Sequence, residues 1–211
     1  QIVALGPDRM RWLMARRTLG MAKVLDAVKR SISLESNLER WLNWQGDATV
    51  SCAIPLDGDG LVKGRLFNFL PMSADSVSPF RGHLDAPFYT SINRERARVD
   101  LPLNNYLLNA AAEVCAETAL ALKAKTNVPP RCIVDFAAWA PAESARLAAA
   151  FQTRGVPILS AEVWPTTAGT WKRLGHVASW PPGSFKVFTP ARATKAGATQ
   201  IISNKLGPHR I

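Results

Sequence analysis

The chain has 211 residues, of which 47% are hydrophobic and 20% charged. That composition excludes a disordered tail, and the length allows a sizeable core in one large or two small domains. The net charge of +10 favours anionic partners, namely nucleotides, nucleic acid or acidic protein surfaces, and is equally compatible with simple solubility.

The first residues, QIVAL, read as the end of an apolar strand. With Gln1 in place of an initiator Met, a piece of a longer polypeptide is the expectation. Asp8 is placed to cap a helix starting near Arg9. Leu13, Met14, Val24, Leu25 and Val28 would form its apolar face, with Arg16, Arg17, Lys23, Lys29 and Arg30 between them. Gly20 would weaken that helix by up to ~1 kcal/mol relative to alanine. A basic amphipathic helix of this kind is a solvated surface element or, in a sharper reading, a phosphate-binding one. A second short helix is expected from Leu34 to Trp44, closed by Gly46.

TVSCAIP, Thr49 to Pro55, is β-branched and apolar and predicts a strand. DGDG at Asp57 to Gly60 is a turn signal. With RLFNFL, Arg65 to Leu70, it suggests a β-hairpin. A third strand is expected from Leu84 to Ile92, interrupted at Pro87. Then the pattern changes. The Ala- and Leu-rich run from Leu103 to Lys125 predicts a long helix with a broad apolar face, packed across a sheet. Pro102 precedes it, and Asn104 and Asn105 are placed to cap it. Cys132 to Ala138 reads as a short strand, Pro141 to Gly155 as a helix and Pro157 to Val163 as a strand, resembling a βαβ unit. Beyond it, SFKVFTP predicts a strand and ARATKAGATQIISNKLG a helix. The fold class is α/β or α+β, a mixed sheet with a long helix across it. The chain divides into an N-terminal helical extension (1–46), an α/β unit (47–127) and a smaller C-terminal α/β portion (128–211).

The sequence lacks the usual catalytic and nucleotide motifs. It has no GxxxxGK[ST] loop, no GxGxxG after a strand, and no HExxH, GxSxG or SxxK. Cys52, Cys115 and Cys132 form no CxxC pair, and His83, His176 and His209 are far apart, so neither zinc spacing nor a disulfide framework is present. Cys52 and Cys115 lie in apolar runs, as core residues do. No apolar run approaches the ~20 residues of a membrane span. Glu113 and Glu117, one turn apart, read as a solvated helix face. His83 reads as a structural histidine bonded to backbone, and Asn68 as a residue needing hydrogen-bond partners.

The strongest polar cluster is Arg94, Arg96 and Arg98. In an extended segment these side chains share one face. Guanidinium groups so placed repel one another unless an anion or carboxylates lie close, and phosphate is their natural bidentate ligand. A solvated rim paired with Glu95 and Asp100 fits the same pattern.

In order along the chain stand Phe69-Leu70-Pro71, then His83-Leu84-Asp85 and Phe88, then Arg94 and Arg96, then Asn104 and Leu107. This succession, within Thr49 to Lys125, resembles the segment that follows the ATP-binding domain in sacsin-like proteins. Glu95 separates arginines that are usually adjacent there, and Leu103 replaces an aromatic. Sacsin-like proteins belong to the GHKL ATPases, with gyrase, MutL and the large heat-shock chaperones. The resemblance implies that 47–127 is a transducer-like middle domain. It implies a parent protein that holds ATP and magnesium in an N-terminal domain, is cytoplasmic, and acts on a protein client. It also implies a basic residue that senses the terminal phosphate, with Arg94, Arg96, Arg98, Lys63 and Arg65 as candidates and His83, Asp85 and Asn104 as motif-structural residues. The segment alone would be non-catalytic and bind no cofactor. A basic nucleic-acid-binding module is the alternative, and a free-standing enzyme with a site around His83, Asp85 and the arginines is a further one.

Overall fold

A computed structural model describes residues 1–5, 9–90, 96–125, 127–166, 170–173 and 176–177. The expected strand SFKVFTP and the helix after it lie outside the described residues.

Strands β1 (Ile2–Leu5) and β2 (Met10–Leu19) open the chain, followed by helix α1 (Met21–Ile32) and a 3-10 helix, Ser36–Asn43. The helix expected from Arg9 is therefore a strand in its first half. β2 pairs antiparallel with β3 (Ala48–Pro55) from Trp12↔Pro55 to Leu19↔Ala48. This cross-chain ladder satisfies the backbone of a segment whose local pattern also fits a helix. Gly20 then stands at the N-cap of α1 in an extended conformation, rather than inside a helix.

β3 is the expected strand, but its hairpin with RLFNFL is not formed. β4 (Leu66–Asn68) and β5 (Leu70–Pro71) pair with each other, and β6 (His83–Asp85) inserts between β3 and β4. β6 runs antiparallel to β3, with Cys52↔Leu84, and parallel to β4, with Leu66↔Leu84. The resulting mixed sheet has the order β1-β2-β3-β6-β4-β5. Glycines permit the insertion. A Cβ on Gly82 would stand 2.6 Å from the Ala53 carbonyl oxygen, and one on Gly64 would stand 2.8 Å from the Phe80 carbonyl oxygen. Of the expected strand from Leu84 to Ile92, the described residues form only β6, which ends at Asp85 before Pro87; Ser91 and Ile92 lie outside the described residues.

Helix α2 (Pro102–Leu122) follows the expected bounds closely. Its Leu, Ala, Val and Cys residues are buried on several sides, and it packs on α1, on β2 and β3, and on two later helices, α3 (Pro130–Ala137) and α4 (Ser144–Thr153). α3 replaces the strand expected at Cys132–Ala138. Every residue from Arg131 to Ala137 is buried, so the sequence offers no period to separate helix from strand. The strand expected at Pro157–Val163 is a 3-10 turn, Ile158–Ser160, with Leu159 67% exposed. No βαβ unit forms. β7 (Trp164–Pro165) and β8 (Trp171–Lys172) make a separate small sheet. One hydrophobic cluster runs from Leu13 through β3, β6, α2, α3 and α4 to Val163.

The two faces of the large sheet differ. Leu13, Leu19, Val50, Cys52, Ile54, Leu66 and Leu84 are buried beneath the helices. On the opposite alternation Trp12, Met14, Arg16, Ser51, Ala53, Phe67, His83 and Asp85 remain partly or fully exposed, and Pro55 is buried. No described helix is long and apolar enough to cross a membrane.

Candidate phosphate-sensing site

The described residues on either side of the arginine-bearing stretch are joined to each other. The Arg98 N–H donates to the Tyr89 carbonyl at 3.3 Å, and Thr90 bridges Ala97. Asn104, in the first turn of α2, locks this junction. Its Oδ1 accepts the Tyr89 N–H at 2.8 Å, and its Nδ2 donates to the Tyr89 and Arg98 carbonyls at 2.6 and 2.9 Å. Asn104 is 0% exposed, so it spends its side chain on this junction rather than on capping the helix. Asn105 Nδ2 holds the Val99 carbonyl at 2.8 Å. Tyr89 on one side of the stretch, and Arg98 and Val99 on the other, are thus tied to α2.

Along the stretch the arginines differ. Arg98 Nη2 pairs with Asp100 at 2.7 Å and Nη1 with Glu35 at 3.2 Å. The Asp100 bond raises the Arg98 pKa, and Arg98 in turn holds the Asp100 carboxyl below its ordinary value. Arg98 therefore matches the carboxylate-paired alternative of the sequence reading, with Glu35 as a partner that sequence distance hides. Arg96 is exposed. Arg94 and Glu95 lie outside the described residues.

The residues upstream of the stretch form a connected unit. Asp85 Oδ1 accepts the Phe69 N–H at 3.1 Å, and Asn68 Nδ2 donates to the Phe88 carbonyl at 2.9 Å. These bonds join the β4–β5 turn to the segment leading into Tyr89. Phe69 has a φ of +61° and is 83% exposed. His83 Nδ1 accepts the Arg65 N–H at 3.2 Å, in the backbone-bonded role expected of it. Its ring stacks on Trp12 at 5.3 Å and meets the edge of Phe67 at 5.1 Å. Burial, and then the nearby Arg65 charge, lower the His83 pKa, so the ring is neutral at pH 7.

The basic candidates separate in space. Arg65 belongs to the His83 end of the β4–β6 pair, whereas Arg98 lies beyond its Asp85 end. Lys63 lines a cleft of about 450 Å³ with Ser78, Phe80, Arg81 and Trp139. Glu113 and Glu117 are more than a solvated face. Both bind Arg17 of β2, and Glu117 also binds Arg154 at 2.8 Å. Sequence reading missed a buried pair, Arg131 Nη1 to Asp135 Oδ2 at 3.3 Å, with Nη2 on the Pro55 carbonyl at 2.8 Å. The i,i+4 spacing was its only local signal.

No protein-family model matches this sequence, and no curated protein or solved structure matches it either.

Proposed function

We propose that the chain is the transducer-like segment of a larger sacsin-like ATPase, in which the 90–97 stretch reports the nucleotide state of a separate ATP-binding domain. The observation carrying this reading is the Asn104 clamp. It fixes Tyr89 and Arg98, on either side of the arginine-bearing stretch, to the long helix α2, and α2 packs against the sheet and three helices. A contact made at the stretch is thereby conveyed to the centre of the molecule.

The physical logic is electrostatic. A guanidinium brought to a terminal phosphate stabilises the triphosphate-bound closed state. Hydrolysis removes its partner and with it the differential stabilisation of that state. Arg94 and Arg96 are the sensing candidates; Arg98 is held by Glu35 and Asp100 and would have to give up both to reach a phosphate. ATP and magnesium would be held by the other domain, and the parent would act on a protein client.

The test is steady-state ATP turnover by the full polypeptide. Arg94→Ala or Arg96→Ala is expected to lower it about tenfold or more, and Arg98→Ala much less. Unchanged turnover in all of these variants would sink the proposal.

A further inference from the structure

The open face of the large sheet carries a feature that the nucleotide reading does not use. Trp12, His83 and Phe67 form a continuous aromatic row across β2, β6 and β4. The intervening strand β3 contributes the small Ala53, in register with Met14 and His83, which lets the Trp12 ring reach across to His83. None of the three rings is buried. Basic groups flank the row. Arg16 lies two residues beyond Met14 on the same face, and Arg65 lies beside His83, where its charge is felt. Many of the protein's other arginines, including Arg11, Arg17, Arg98, Arg131, Arg146 and Arg154, are paired with carboxylates. Arg16 and Arg65 have no such pairing among the described residues, and Arg16 Nη2 donates to the Met14 sulfur at 3.9 Å. On the same face, Asp85 has one oxygen committed to the Phe69 N–H.

Partly exposed rings on the open face of a sheet, with guanidinium groups free of carboxylate pairing among the described residues at their margin, suit one ligand class. Unpaired bases offer faces for stacking, and their backbone offers phosphates for bidentate arginine contacts. A duplex hides its bases and cannot use the rings. The net charge of +10 adds long-range attraction for the same polyanion. We propose that this face binds single-stranded nucleic acid, with Trp12 and Phe67 stacking on bases and Arg16 and Arg65 holding phosphates. A protein partner covering the rings is the competing occupant, and it would have no need of a polyanion.

The test is a fluorescence-anisotropy titration of the 211-residue chain with a labelled oligothymidine of roughly 15 nucleotides, long enough for one such platform. Binding is expected to weaken with salt, with a log–log slope near −1.4 from two phosphate contacts at about −0.7 each. Trp12→Ala and Phe67→Ala should each weaken it about tenfold, while Trp12→Phe retains it. Arg16→Ala and Arg65→Ala should each reduce the slope by about 0.7. Lys29→Ala with Arg30→Ala, on the exposed side of α1, should leave affinity unchanged. Circular dichroism confirms that each variant is folded. No binding at about 50 mM salt, equal binding of a duplex, or a loss caused by the α1 variant but not by Trp12→Ala would each overturn the proposal.

Discussion

Asn104 makes three hydrogen bonds to two backbone segments while fully buried. Replacing it with alanine leaves the Tyr89 N–H and two carbonyls without partners, each costing roughly 1–3 kcal/mol if it stays dry. Asn104→Ala is therefore expected to lower the unfolding free energy by about 2 kcal/mol or more, read from the urea midpoint. It should also speed amide exchange at Tyr89 and Arg98. A second residue-scale prediction concerns His83. Its pKa in the fold is depressed, chiefly by burial, so the unfolded chain takes up the proton first, near pH 6.5. Below that value the unfolded state holds more protons, and stability falls as pH drops toward the folded pKa. His83→Gln is expected to flatten the change in urea midpoint between about pH 7.5 and pH 5.5. An unchanged slope would remove His83 as its source.

Elements join here through close backbone approach and through α2. The insertion of β6 between β3 and β4 requires Gly82 and Gly64, since a Cβ at either meets carbonyl backbone that cannot rotate away. Gly82→Ala is expected to cost about 1–3 kcal/mol by overpacking, and thermal unfolding should report it as a lowered midpoint. A matched change at Gly155, where φ is +72° but the space is open, should cost backbone strain alone. At the α3–β3 junction, Arg131 and Asp135 are buried together and Arg131 also holds the carbonyls of Pro55, at the end of β3, and of Asp57. Asp135→Ala leaves a buried guanidinium short of its charge partner. The expected loss is about 3–5 kcal/mol, in the same unfolding assay.

At the scale of the molecule, a single hydrophobic cluster links strands near the start of the chain with α4 and Val163. Phe151 on α4 is fully buried within it. Phe151→Ala is expected to destabilise by about 3–5 kcal/mol. Because the cluster is continuous, far-UV circular dichroism and tryptophan emission should shift together. Two separated transitions would show that α4 and the large sheet unfold independently. The same connectivity underlies the functional proposal, since the residues flanking the arginine stretch are fastened to the helix that most of the core packs upon.

The sequence by itself determined what rests on local chemistry and length. The Ala- and Leu-rich stretch is long enough that only a helix buries it, and α2 appears within a few residues of the expected bounds. TVSCAIP forms β3 because β-branched residues suit a pleated, half-buried ladder. His83 was legible as a backbone-bonded ring from its place after a turn glycine, and the mixed α/β class from the overall alternation of patterns. What depends on distant partners was decided only in three dimensions. β2 is a strand because β3 lies beside it. α3 is a helix although its residues, buried on all sides, carry no period. β6 enters between strands that sequence order would pair directly. The arginine cluster shows the same division. Its anion-binding chemistry follows from residue type, but the pairing of Arg98 with Glu35 across 63 positions and the Asn104 lock on its flanks follow from chain crossings. Local sequence fixes which conformations are cheap, and tertiary burial chooses among them.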